Sequence, residues 1–294
     1  MKKVSMNCNQ RRAKDGRIHH QEFLAYQPGV NSMKTMIQWS SLFVFMILML
    51  LGNFTHSAEN SLLIPLGEKD RLAIEKYLGK EVVGQAIPAP ALVDTNRYLN
   101  LSAGNRNYRL VSGPDTGNIE HHRPTMLKQE ANKTTWRYDT GARFIYYILG
   151  KEDGNYVVTG VTDNEEGVFI QYSPNKPFML QGLAPGEQRN IQTEMKVFEL
   201  SNPDKQIHTG ILDIGYRYLG AYKVTVPAGS FDAVLIKWTF NGKVGPASLN
   251  DTQYRFFAAD VGMIAAIEQM KVSATLLYNK QRKIAKVLVD KPKS

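Results

Sequence analysis

The stretch VTVPAGSFDAVLIKW, Val224 to Trp238, decides how this chain is read. Tyr222, Val224 and Val226 alternate with Lys223 and Thr225. Further on, Val234, Ile236, Trp238 and Phe240 alternate with Lys237 and Thr239. A period of two is that of a strand with one buried face. Between the two runs, Pro227 has no amide donor and a fixed φ, so it cannot sit in the middle of a ladder. It suits position i+1 of a type I turn, with Ala228 at i+2 and Gly229 at i+3. The stretch therefore reads as two strands joined by a tight corner. The competing reading is a nucleophilic site at Ser230 and Asp232. No G-x-S-x-G elbow surrounds Ser230 and no His lies nearby in the sequence, so no catalytic residue is assigned.

The same alternation extends on both sides. ARFIYYILG (Ala142–Gly150) leads through Asp153-Gly154, a strong hairpin signal, into YVVTGVT (Tyr156–Thr162). VFIQY (Val168–Tyr172), NIQTEMKVFEL (Asn190–Leu200) and HTGILDIGYRYLG (His208–Gly220) follow. Asn241-Gly242 reads as a further turn, and TQYRFFAA, GMIAAIEQMKVSATL and RKIAKVLV complete the set. Consecutive strands with short connections form sandwiches, half-barrels or barrels. The expectation is a mainly β fold: an antiparallel open or half-barrel sheet of about ten strands, with a short N-terminal helix. That helix is read from Leu72, Ile74, Tyr77 and Leu78, with Gly79 as its stop. SAGNRNYRLVSGPDTGNIEHHRPT, rich in Gly, Asn, Ser and Pro, reads as loop with one short strand at Tyr108–Val111.

Ten apolar residues, Leu42 to Leu51, form the only strongly apolar run. This is short of the roughly 20 residues of a membrane span and fits the core of a secretory signal. Lys34 precedes it, and Ser57-Ala58 suits cleavage before Glu59, although His56 fits the small-residue pattern poorly. Met33 and Met36 are both candidate starts, which would leave residues 1–32 dispensable. Residues 1–58 hold seven Lys/Arg against two acidic residues, leaving 29 basic and 25 acidic groups for the remaining 236. Most of the formal net charge of +9 thus belongs to the N-terminal extension, and no downstream basic run interleaved with aromatics points to nucleic acid. Cys8, the only cysteine, lies upstream of the apolar run, so the part beyond it forms no intrachain disulfide. Four regions are expected: a basic tail at 1–36, a signal peptide or signal anchor at 37–58, a helix and loop region at 59–132, and an antiparallel β domain at 133–294.

LGAYKVTVPAGSFDAVLIKWTFNG (Leu219–Gly242) resembles the signature of a group of bacterial exported proteins of unknown function with a V-x-V-P-A-G-x-F-x-A turn. FFAADVGMIAAIEQ (Phe256–Gln269) and LAPGEQRNIQTEM (Leu183–Met195) are similar to the segments that flank it in that group. The group is loosely similar to half-barrel lipoprotein carriers of the cell envelope, whose curved sheet wraps a hydrophobic cavity. The resemblance implies an envelope location and a concave apolar face.

His121-His122 beside Glu120 is the nearest approach to a metal site. Adjacent residues rarely point at one ion and no second ligand pair is spaced for one, so these read as loop histidines and neither metal nor cofactor is expected. Glu268 falls on the apolar face of its strand with Ile264, Met270 and Val272, as one half of an ion pair or as a cavity-lining acid. Tyr216, Tyr218, Val234, Ile236, Trp238 and Phe240 form the candidate ligand-binding face, against the alternative of plain aromatic core. The expected function is non-enzymatic: an exported cell-envelope protein that binds an apolar or amphipathic molecule on the concave face of a curved sheet. The alternatives are a structural or assembly adaptor and, more weakly, a hydrolase using an acid such as Glu268. Expected partners are lipid or another apolar envelope molecule, or an envelope protein, and not nucleic acid. The expected location is periplasmic or exported, with inner-membrane anchoring if the signal is not cleaved.

Overall fold

The computed structural model describes residues 62–274 and 278–292. The basic tail, the apolar run and Cys8 lie outside the described residues. A short β1 (Leu62–Leu63) precedes helix α1 (Glu68–Leu78) and β2 (Val83–Ala89). Helix α2 (Thr95–Leu99) and a 3-10 turn (Leu101–Ala103) follow. The rest is strand: β3 (Arg106–Ser112), β4 (Ile119–Glu130), β5 (Lys133–Thr140), β6 (Phe144–Lys151), β7 (Tyr156–Asp163) and β8 (Val168–Met179). Then come β9 (Gln188–Glu199), β10 (Asn202–Val226), β11 (Gly229–Val244), β12 (Ala247–Ala258), β13 (Gly262–Ala274) and β14 (Tyr278–Leu288).

The expected open or half-barrel sheet is overturned. Strands β3 to β14 close into an antiparallel barrel, in which β14 pairs with β3 and β9 pairs with β10. The strands that close it come from the stretch read as loop. Residues 106–112 and 119–130 are β3 and β4, and they bridge β14 to β5. Most of the second half of β4 is solvent-exposed, so it carries no apolar alternation, and it contains Pro124. Pro124 sits beyond the last residue that β3 pairs, where no ladder partner needs its missing amide.

The corner behaves as read. Val226 pairs with Gly229 across Pro227-Ala228, and Gly229 has φ +131°, open to glycine at little cost. Ser230 is exposed, and its hydroxyl lies 2.9 Å from that of Thr225 across the hairpin. Asn241-Gly242 is not a turn. Both residues stay in the ladder, opposite Asn250 and Leu249, and the chain reverses at Gly245-Pro246. Glycine serves close approach there, since a Cβ on Gly242 would lie 2.7 Å from the Ile211 carbonyl oxygen.

Strand β10 is long enough to serve two neighbours. Gly210 to Arg217 pair with β9, and Ala221 to Val224 pair with β2, with a register shift between Tyr218 and Gly220 where one neighbour replaces the other. Helix α1 ends at Gly79, buries Ile74 and Leu78, and leaves Leu72 in water. Its Asp70 accepts hydrogen bonds from Lys237 at 2.5 Å and from the Tyr254 hydroxyl at 2.7 Å. Those residues alternate with Trp238 and Arg255, so α1 covers the outer wall while Trp238 points inward. One end of the barrel is closed by α2 and the 3-10 turn. Arg97 clamps Asp260 there, and the buried Arg106 donates to the carbonyls of Asn100, Gly104 and Val261. Elsewhere the outer wall carries Arg137, Asp139, Glu194, Lys196, Asp213 and Arg217 at mid-strand. A lipid-facing barrel has an apolar band at that height, so this wall suits water. No helix among the described residues is long and apolar enough to cross a membrane.

Candidate functional site

The barrel interior is divided along its axis. Toward the closed end it is largely filled, apart from a small cavity of about 40 Å³ bordered by Leu99, Arg106, His122, Phe257 and Met263. Trp238, 2% exposed, takes the edge of Tyr216 at 5.2 Å and stands 6.3 Å from Phe257. The Arg255 guanidinium lies 5.0 Å from the Trp238 ring and 5.4 Å from Phe178. Tyr216 accepts a hydrogen bond from the Leu180 amide, and the Tyr218 hydroxyl donates to the Pro90 carbonyl at 2.9 Å. Val234 and Ile236 are buried beside them.

Toward the end where β11 turns into β12, the interior is hollow. A cavity of about 400 Å³ is walled by Ile170, Met195, Leu212, Leu249, Met270 and Val272. Its volume falls in the range of small-molecule sites. Lys176, Asp251, Gln253 and Glu268 supply polar groups to the same lining, as do Arg143 and Asp163. Of the six residues expected to form a ligand face, Phe240 borders this cavity. The other five lie in the packed part on the same inner face, with Tyr216 opposite Trp238 and Tyr218 opposite Ile236.

Lys176 comes from β8 and Glu268 from β13, while β12 supplies Asp251 and Gln253, which alternate inward with Leu249 and Arg255. The sequence reading took TQYRFFAA as a strand without assigning its two faces, so Asp251 and Gln253 were not singled out. In the structure, Tyr254 faces outward under α1. The missed signal was pairing: Phe240 lies opposite Asp251 and Trp238 opposite Gln253, and opposed residues share a face. Glu268 lies opposite Gln253 and 3.5 Å from Arg282, so it both lines the cavity and has an ion partner.

Burial and the charge of Glu268 push the Asp251 carboxyl up to about 7. One of its oxygens accepts from the Gln253 amide at 2.5 Å, and Oδ1 meets no donor. Burial, then Arg255, pushes the Lys176 ammonium down to about 8. That ammonium lies 5.0 Å from the Tyr172 ring, 5.2 Å from Phe240 and 5.6 Å from Tyr146. At the rim, Arg143 binds Asp163 and Glu165, and Lys280 binds Glu165 and Glu166.

The histidine pair is on strand β4 and not in a loop. Adjacent strand residues point to opposite faces, so the two cannot share an ion. His121 is exposed and contacts Asn107, whereas His122 is buried, 2.8 Å from the Tyr138 hydroxyl and beside Glu120 and Lys286. Burial, with Lys286 close by, pushes the His122 imidazole down to about 3, so it stays neutral.

No protein-family model matches the chain, and no curated protein matches its sequence. Among solved structures, a candidate exported protein from Bacteroides fragilis, described as having a YmcC-like fold, aligns with 13% identity and a TM-score of 0.40. That alignment covers 65% of this chain and 94% of the other. A candidate lipoprotein from Parabacteroides distasonis aligns with 11% identity and a TM-score of 0.36, over 69% of this chain and 98% of the other. Likeness at this level carries no argument about function.

Proposed function

We propose that this protein is a non-enzymatic, exported cell-envelope protein that holds an apolar or amphipathic molecule inside its barrel. The cavity of about 400 Å³, apolar along its walls and charged at its floor, carries the reading. Hydrophobic walls release water from an alkyl or ring system, while a few polar groups fix its orientation. Of the face expected from the sequence, Phe240 is assigned to touch the ligand. Tyr216, Tyr218, Val234, Ile236 and Trp238 are assigned to hold the base on which it rests. Export rests on the apolar run Leu42–Leu51 and its small-residue exit.

Native mass spectrometry of the protein purified from its own envelope tests the reading. A lipid-sized mass should accompany the wild type and should be lost in Leu212→Trp, which fills the cavity. Bare wild-type protein that also binds no apolar probe would overturn it. A second reading, an assembly adaptor, is favoured by the exposed Leu200, Ile207 and Ile211 near the open end. It predicts that changing those three to Ser abolishes cellular function while lipid content stays the same.

A further inference from the structure

Around the cavity, from rim to floor, most charges have partners. Arg143 is taken by Asp163 and Glu165, Lys280 by Glu165 and Glu166, and Glu268 by Arg282. Two groups on the cavity lining stand apart. Among the described residues no carboxylate lies within ion-pair distance of Lys176, whose three neighbours are aromatic faces. Such faces attract the charge but satisfy its N–H donors poorly. Asp251 is 8% exposed and keeps one oxygen without a donor. A buried polar atom left unpaired costs on the order of 1–3 kcal/mol, so a missing partner is indicated. Both side chains line one cavity, and the apolar belt of Leu212, Leu249, Met270 and Val272 lines it with them.

We propose that Lys176 and Asp251 together hold the oxyanion headgroup of an alkyl-chain amphiphile, a carboxylate or a phosphate ester, whose chain lies along that belt. The inference rests on the lumen-binding reading and gives it a ligand class. Two acids close together in a dry site do not both ionise. Burial and the neighbouring Glu268 raise the Asp251 carboxyl to about 7, so below that pH its free oxygen becomes a hydroxyl donor. Ammonium and hydroxyl then both present donors to the cavity, and an oxyanion accepts both. The charged and titratable groups facing this pair are Arg255 on β12, Glu268 on β13 and Arg282 on β14, with the Arg143–Asp163 pair, Glu166, Lys280 and His208 on the same lining toward the rim. The phenols of Tyr146 and Tyr172 are pushed up by burial and stay neutral. At the floor, β9, β10 and β11 present the apolar Met195, Leu212 and Phe240.

Loss of either proton weakens anion binding, so the two titrations act in one direction. Between pH 6 and pH 8 the competent fraction falls about tenfold through Asp251 and about twofold through Lys176, or about twentyfold together. Calorimetric titration of the full chain with decanoate, decylammonium and decanol reads this. At pH 6 decanoate should bind at least about tenfold more tightly than the other two, weakening about twentyfold by pH 8. Asp251→Asn keeps a donor at every pH and should reduce that loss to about twofold. Lys176→Met, verified as folded by its thermal midpoint, should bring decanoate down to the level of decanol. Acetate and inorganic phosphate, which lack a chain, should bind at least about a hundredfold more weakly, each buried methylene contributing about 0.8 kcal/mol. Equal binding of these free anions would overturn the amphiphile. Tightest binding of decylammonium would make Asp251 an acceptor for a cation and overturn the headgroup assignment. Equal binding of decanol and decanoate would overturn it too, leaving the lumen reading standing. Failure of every chain to bind would remove both.

Discussion

Replacing Trp238 with Ala separates packed base from ligand cavity. The indole is 2% exposed and touches Tyr216, Phe257 and Arg255. Burying an aromatic side chain removes about 150–250 Å² from water, or roughly 4–6 kcal/mol at 25 cal/mol per Å². Ala keeps a small part of that, and the neighbours relax into part of the void. Losing the guanidinium contact adds about 0.5–2 kcal/mol, partly retained because Arg255 keeps Phe178 and the Gln253 carbonyl oxygen. The expected net loss is about 3–5 kcal/mol, the usual cost of truncating a core Trp. In urea, with a slope of about 2–3 kcal/mol per M, the midpoint should fall by more than about 1 M. Because Trp238 lies below the floor and not in the cavity lining, decanoate affinity of the folded variant should change by less than about threefold, or roughly 0.6 kcal/mol. A midpoint shift under about 0.3 M, with increased ligand capacity, would refute the division of the barrel into a filled base and a hollow upper half.

Asp251→Asn should raise stability at pH 8 by a few kcal/mol and leave it unchanged at pH 4, read by urea unfolding at both. The sign follows from the carboxyl's rise from 3.8 to about 7 on folding: between those values the native state binds more protons, so stability falls as pH rises. His122 acts on the acid side. Its fall from 6.5 to about 3 means that the unfolded state binds more protons in that window, so wild-type stability should drop as pH falls through it, and His122→Gln should drop less. Gly229→Val should cost about 1–2 kcal/mol in thermal or urea unfolding, because its φ of +131° strains a β-branched residue. Ser230→Ala should fold and function as wild type, and loss of cellular function in a folded Ser230→Ala protein would revive the nucleophile reading.

What could be read from the sequence was what is local in the structure. Pro227 and Gly229 define a corner by their own backbone chemistry, and Gly79 ends a helix for similar reasons. Barrel closure is a different kind of fact. It depends on β14 meeting β3 and on β9 meeting β10, contacts that no window of the chain contains. The decisive strand, β4, escaped because alternation appears only where one face is buried, and most of its far half is exposed. Asn241-Gly242 misled for the opposite reason. Its glycine serves the close approach of two strands, which uses the same lack of a side chain that a turn uses.

The site was half legible, and the division is physical. The aromatic face could be seen because apolar alternation is a strong signal, and it marks the part of the interior where packing is complete. Of the cavity floor only Glu268 was singled out, because Lys176, Asp251 and Gln253 are residue types that usually face water. A barrel selected only for stability would place leucine or phenylalanine at these positions, since burying Asp251 and Lys176 costs more than the Gln253 amide and the aromatic faces return. Filling the floor would also remove the cavity. The unpaired oxygen of Asp251 and the aromatic-bound ammonium of Lys176 are therefore best understood as partners held for a third group. The predicted gain in stability of Asp251→Asn, together with its lost pH response toward decanoate, would measure what the fold gives up to keep that place open.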